Sequence, residues 1–355
     1  MIEKNYIPEK IIKSVITMIK KIIINVICVS LIFILCDCEK EENPVSIENP
    51  PPNSENSTLL YTADAGLTWE IYKLYYCDKM FSIASFNRNP YASIIITGSK
   101  GTIIRSLDGG GNWEVDTLGI MKLDLNDLAS TGANLSGIAV GNQGSILRTN
   151  NDGQSWNYAV TPTSSDLYSV KFDTVSGIGV AAGIKETIIR SIDRGQTWSI
   201  ITSNLTSSVV YRKVAIPGSK KIIIVGYNES TGQPLIVRSE NSGVSWSSVT
   251  LPLTDSKLFG VSFLDSLKGI AVGSAGKILK TTNGGISWTL KNTGISNDIN
   301  SVFCSHEIFI AAGSKVILRS SDRGESWSSN TIENANGSLF GIFRLDVNNF
   351  FITGE

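Results

Sequence analysis

From residue 58 onward, apolar residues fall in short runs without helical spacing, separated by turns rich in Gly, Asp, Asn and Ser. One unit shows the pattern. LYSVKF (167–172), GIGVAAG (177–183), ETIIRS (186–191) and TWSII (197–201) are strand-length and rich in β-branched and aromatic residues, with turn formers between them. The run GIAVG, at 137–141 and again at 269–273, is apolar throughout. A strand buried on both faces needs that composition.

The unit repeats. Each of the seven tryptophans closes a segment of one type: TADAGLTW (62–69), SLDGGGNW (106–113), TNNDGQSW (149–156), SIDRGQTW (191–198), SENSGVSW (239–246), TTNGGISW (281–288) and SSDRGESW (320–327). The tryptophans are spaced by 44, 43, 42, 48, 42 and 39 residues, a period that predicts four-stranded propeller blades. The C-terminal segments 339–346 and 348–355 supply a first and second strand, and 57–71 supplies a third and fourth. Together they make one blade, two strands plus two, and remove the open edges of the ring. The predicted fold is all-β, a seven-bladed β-propeller over 58–355. In this motif the Ser/Thr and Asp/Asn side chains are expected to bond backbone N–H groups of their own hairpin, with Gly at positive φ. The Trp ring should bury between blades and find a partner for its N–H.

The N-terminal region reads differently. Ile22–Leu35 is an apolar stretch directly after Lys20 and Lys21. It is shorter than the roughly 20 residues a spanning helix needs, and fits the core of a signal peptide. The basic flank reads most naturally from Met18, which would then be the true start. A cysteine follows the stretch, Cys38 or alternatively Cys36, before Glu39-Lys40-Glu41-Glu42. This resembles a lipobox with a surface-export signal, although the residue before either cysteine is not the usual small one. An uncleaved signal anchor is the alternative. Residues 1–38 are therefore expected to be a lipoprotein signal peptide and 39–57, rich in Pro, Asn and Ser, a flexible tether. The expected location is the outer membrane or cell surface, or the periplasm-facing side, with the lipid as the sole membrane attachment.

Composition narrows the function. Lys and Arg number 31 against 32 Asp and Glu, a net charge of −1, which provides no field for nucleic acid. The single histidine, His306, leaves no basis for a His-built metal site or a His-based triad. GSAGK (273–277) lacks the spacing and the following Ser/Thr of a P-loop, and NNDG (150–153) lacks the distal Glu of a calcium loop. A disulfide between Cys77 and Cys304 is not expected, since they fall near opposite ends of inner strands. No catalytic residues, metal or cofactor are expected, and the chain should be a monomer.

Three groups are candidates for binding. A base precedes the motif in six blades, Arg105, Arg148, Arg190, Arg238, Lys280 and Arg319, with Tyr61 at that place in blade one. This is either a ring of charge for an acidic or anionic partner, or a set of links to carbonyls and carboxylates at blade junctions. Aligned inner strands place Ser82, Asp127, Ser169, Lys213, Gly260, Ser301 and Gly341 at one channel-facing position. Asp127 and Lys213, with Arg212, break that symmetry. The turn between second and third strands is longest in blade five, GYNESTGQP (226–234), and offers Tyr227, Asn228 and Glu229.

The segment GNQGSILRTNNDGQSW (141–156) carries the unit G-x-x-G-x-I-x-R-S/T-x-D/N-x-G-x-S/T-W. It resembles the Asp-box, or BNR, propellers of the photosystem II stability and assembly factor family over about 58–355. That resemblance implies a non-catalytic scaffold for a membrane-protein partner, with a basic patch at Arg105, Arg148, Arg190, Arg238 and Arg319. A photosynthetic role does not carry over with it. Sialidases share the motif, but with six blades and an Arg-Ile-Pro segment; here Ala215 precedes Ile216-Pro217. Xyloglucanase-type hydrolases set two carboxylates across a cleft between two propellers, and this chain offers one propeller with Asp127 alone. The reading is an exported scaffold for an envelope or membrane protein. The alternative is a glycan binder, which would need exposed aromatic residues on the turn face, where Tyr227 is the one good candidate.

Overall fold

In the computed structural model, the described residues are 57–74, 78–86, 93–117, 123–201, 208–306, 308–333 and 337–355. They form 28 strands in seven four-stranded antiparallel sheets. Blade two spans Met80–Thr117, blade three Leu125–Tyr158, blade four Leu167–Ile201, blade five Val209–Ser248, blade six Leu258–Lys291 and blade seven Ile299–Thr331. Blade one is the closing blade: Leu339–Arg344 and Phe350–Gly354 come from the C-terminal end, Ser57–Thr62 and Glu70–Leu74 from the N-terminal side. Thr58 pairs with Gly354 and Thr62 with Phe350, so the ring closes two strands plus two. Each inner strand contacts the next, and the last, Leu339–Arg344, meets Met80–Ala84. The signal, cysteine and tether readings fall on residues outside those described, except Ser57, which ends the tether reading and begins the strand Ser57–Thr62. Among the described residues no helix is long and apolar enough to cross a membrane.

Burial follows the sequence pattern. Second strands such as Gly137–Gly141, Gly179–Gly183 and Gly269–Gly273 are buried at every position, because neighbouring blades cover both faces. The clusters that hold the blades together pair consecutive sheets, as where Ile138 and Val140 of blade three meet Phe172, Ile189 and Trp198 of blade four. Outer strands are short and polar, and Ser328–Thr331 is wholly exposed. An edge that exposes unpaired backbone is safest when short and polar.

The repeated hairpin works as its side chains predict. In blade one Thr62 Oγ1 donates to Asp64 Oδ1 at 2.7 Å, and Gly66 N–H donates back to Thr62 Oγ1 at 3.0 Å. Asp64 also accepts from Thr68 N–H at 2.9 Å and from its hydroxyl at 2.6 Å. These donors, the Thr68 hydroxyl foremost, hold the Asp64 pKa down to about 2. The turn takes two successive left-handed residues, Arg194 (φ 59°) and Gly195 (φ 80°) in blade four. One expectation fails. The indole N–H groups of Trp69, Trp156, Trp198, Trp246, Trp288 and Trp327 are buried without an acceptor. The rings enter apolar seams, where Trp198 meets Phe172 edge-on at 5.8 Å, and no polar atom follows them in. Cys304 is a buried free thiol whose pKa burial pushes up to about 12; Cys77 lies outside the described residues.

Candidate functional site: the mouth of the channel

Because strands within a blade are antiparallel, the turns between second and third strands lie at the face where inner strands begin. We call this the upper face; the Asp-box hairpins occupy the lower one. Every inner strand carries a bulge near its start, between Met80 and Ser82, Leu125 and Asp127, Leu167 and Ser169, Tyr211 and Lys213, Leu258 and Gly260, Ile299 and Ser301, and Leu339 and Gly341. A bulge leaves its extra residue out of the ladder and re-aims it. The residues displaced are Phe81, Asn126, Tyr168, Arg212, Phe259, Asn300 and Phe340, and all seven line one cavity of about 290 Å³ at the upper mouth of the channel.

The rim is organised by contacts between blades. Phe81 and Phe340 rings lie 5.6 Å apart. Tyr227, at the end of blade five's long second strand, stands perpendicular to Phe259 at 6.3 Å with the Lys257 ammonium 4.8 Å from its ring centre. The Arg212 guanidinium lies 4.6 Å over the Tyr168 ring. Its Nε is buried without an acceptor, and among the described residues it has no ion pair. Burial raises the Tyr168 phenol pKa, with Arg212 opposing. Asp124 and Asp166 also line the cavity. Each accepts the backbone N–H of the left-handed turn residue in the preceding blade, Lys100 at 3.0 Å and Gln143 at 2.7 Å. Asn126 and Asn300 donate to the carbonyls of Leu167 and Leu339 on the next inner strand.

One layer below the rim, four blades meet at a carboxylate. Asp127 is buried and accepts from Ser82 Oγ at 2.7 Å, Ser169 Oγ at 2.8 Å, Val170 N–H at 3.1 Å and Lys213 Nζ at 3.0 Å from both its oxygens. Ser169 Oγ in turn accepts from Val214 N–H. Burial alone would raise the Asp127 pKa; the Lys213 charge and the two serine hydroxyls reverse that and leave it below the ordinary value. The residues that break the symmetry of the inner layer therefore staple blades two, three, four and five together. Of these residues Lys213, its side chain 37% exposed, is the one that lines the cavity.

The sequence matches the family described as Photosynthesis system II assembly factor YCF48 over residues 53–172 and 238–349. The chain belongs to that family. A solved structure of YCF48 bound to a D1 peptide is 18% identical, with a TM-score of 0.63, covering 87% of this chain and 97% of that one. YCF48 from Cyanidioschyzon merolae is 14% identical with a TM-score of 0.61, covering 78% of this chain and 95% of its own. The WD40 repeats of RRP9, 7% identical, reach a TM-score of 0.62 with coverage of 78% and 94%, so this likeness is one of fold. No curated protein matches the sequence.

In this YCF48-family propeller the six bases sit at the ends of third strands, at the lower face and away from the mouth. Four of them bond the Asp-box turn of the next blade. Arg190 Nε donates to the Ser242 carbonyl at 2.6 Å and Arg238 Nε to Gly284 at 3.1 Å. Lys280 Nζ donates to the Arg323 carbonyl at 2.7 Å and Arg319 Nε to the Ala65 carbonyl at 2.9 Å. This is the geometry of a junction between blades. Arg105 pairs instead with Glu114 on its own blade, and Arg148 Nε is buried without a partner. Asn228 Oδ1 accepts the N–H groups of Ser230 and Thr231 and so shapes the blade-five turn. Among the described residues no group of three His, Cys, Asp or Glu is placed to hold a metal.

Proposed function

We propose that this chain is a non-catalytic, exported scaffold that receives a segment of an envelope or membrane protein on its upper face. The observation that carries the reading is the ring of bulged residues at the channel mouth. It presents aromatic faces and the Arg212 guanidinium, stacked on Tyr168 and without an ion pair among the described residues, on a rigid ring, and rigid presentation lowers the ordering cost of binding. Membership of the YCF48 family supports a binding role, as does the peptide bound to a relative of the same fold. Attachment through lipid on Cys38, or Cys36, rests on the apolar stretch and the cysteines that follow it.

The test is capture from detergent-solubilised envelope with the full chain as bait, beside Arg212→Glu. Lys213 is unsuitable as the test position, because it holds Asp127. The expected result is one membrane protein retained by the parent and reduced at least about tenfold by the variant, the effect of losing roughly 1.4 kcal/mol of interface energy. Equal retention would remove the mouth from the interface. Growth with labelled fatty acid tests the anchor: incorporation should vanish in Cys38→Ser, and persistence there with loss in Cys36→Ser would move the site.

A further inference from the structure

The mouth combines aromatic side chains with hydrogen-bonding groups of both signs in one small cavity. We propose that the cavity is also a binding site for a neutral saccharide, accepting one sugar ring against Phe259 and its neighbours. Sugar rings pair a flat C–H face, which packs on an aromatic plane, with hydroxyls that both donate and accept at the edge. The cavity offers both parts. Phe81, Phe259 and Phe340 supply half-buried aromatic faces directed there by the bulges. The Arg212 guanidinium, stacked on Tyr168, brings N–H donors to the cavity wall without an ion pair among the described residues, and the Asp166 carboxylate, whose Oδ1 accepts the Gln143 N–H, lines the same cavity.

Charge decides the ligand class. An anion would meet Asp124 and Asp166, whereas a cation would meet Arg212 and Lys213, all on the wall of the same cavity. Neither sign is favoured, so a neutral polyol that needs donors and acceptors together fits best. A volume of about 290 Å³ is at the lower end of ligand pockets, roughly 300 Å³ upward, and suits a terminal ring of a glycan. The aromatic faces that a glycan binder needs on this side are thus present, beyond Tyr227.

The inference goes beyond the scaffold reading and fails separately from it. Saturation-transfer NMR on the full chain in detergent would use the methyl glycosides of glucose, galactose, mannose, xylose and N-acetylglucosamine as probes. At least one should bind with a Kd on the order of 1 mM, the affinity expected for so small a ligand. Phe259→Ala and Arg212→Ala should each weaken it about tenfold, Phe259→Tyr should retain it, and Arg105→Ala at the opposite face should leave it unchanged. Thermal unfolding of each variant separates a lost site from a lost fold. No transfer to any of the five glycosides would overturn the proposal while leaving partner capture intact. Binding that survives both alanine variants would overturn it equally.

Discussion

At the scale of single residues, the informative group is a buried carboxylate that is fully satisfied. Asp127 takes donors from three other blades, so its charge links four parts of the ring. Lys213→Met removes one of those links and leaves the charge buried. The expected cost is about 2–3 kcal/mol, below the roughly 3–5 for a wholly buried pair because the ammonium is partly solvated. Adding Asp127→Asn should recover part of it; urea midpoints of the single and double variants check both. Acid acts on the same chemistry. Asp64, Asp108, Asp127, Asp193 and Asp322 all have pKa values lowered in the fold. Each contributes stability above the unfolded carboxylate value of about 3.9, and loses it as pH falls through the folded value. Melting temperature should hold from pH 7 to 5 and fall between about pH 4 and 2. Asn already serves in the hairpins of blades three, five and six, where Asn151, Asn241 and Asn283 make the corresponding bonds. Asp64→Asn with Asp322→Asn should therefore fold and flatten the acid loss, read by calorimetry across pH. A drop as steep as the parent's would contradict that assignment.

At the scale of elements, what could be read from the sequence depends on whether a feature leaves a residue type behind. The Asp-box hairpin does, because Ser/Thr, Asp/Asn, Gly and Trp each have one task at fixed spacing. The four strands of each blade and the closing pair were readable for the same reason. The inner-strand bulge leaves no such mark. The apolar pairs Met80-Phe81, Leu258-Phe259 and Leu339-Phe340 read only as strand, and it is the bulge that turns each Phe to the mouth. The one visible hint is the aromatic residue or Asn that follows that residue in six of the seven blades. The basic residues were visible as a ring, yet composition could not separate a charged surface from junction bonds; carbonyl positions decide that. Glycine ends the second strand in six of the seven blades, and in blade four its role is steric. A Cβ on Gly183 would lie 1.8 Å from the Asp166 carbonyl oxygen. Gly183→Ala should thus cost about 2–3 kcal/mol by overpacking, measured by urea unfolding. A change near zero would mean that the neighbouring inner strand yields freely.

At the scale of the whole molecule, the ring and its two faces frame the function. Closure depends on Phe350–Gly354 pairing with Ser57–Thr62. Truncation after residue 340 leaves the N-terminal strand pair without a neighbour. Loss of cooperative unfolding is expected, and a stable soluble fragment would contradict the closure. The Asp-box hydrogen bonds and the basic links between blades lie at the lower face, whereas the upper face carries the mouth, Arg212 and the long blade-five turn. That division is the central claim, and site-specific photocrosslinking in the envelope tests it most directly. A crosslinker at Tyr227, on the upper rim, should trap a protein partner, while one at Ile192, exposed on a lower-face hairpin, should not. Crosslinking from Ile192 with none from Tyr227 would place the partner on the opposite face and contradict the account.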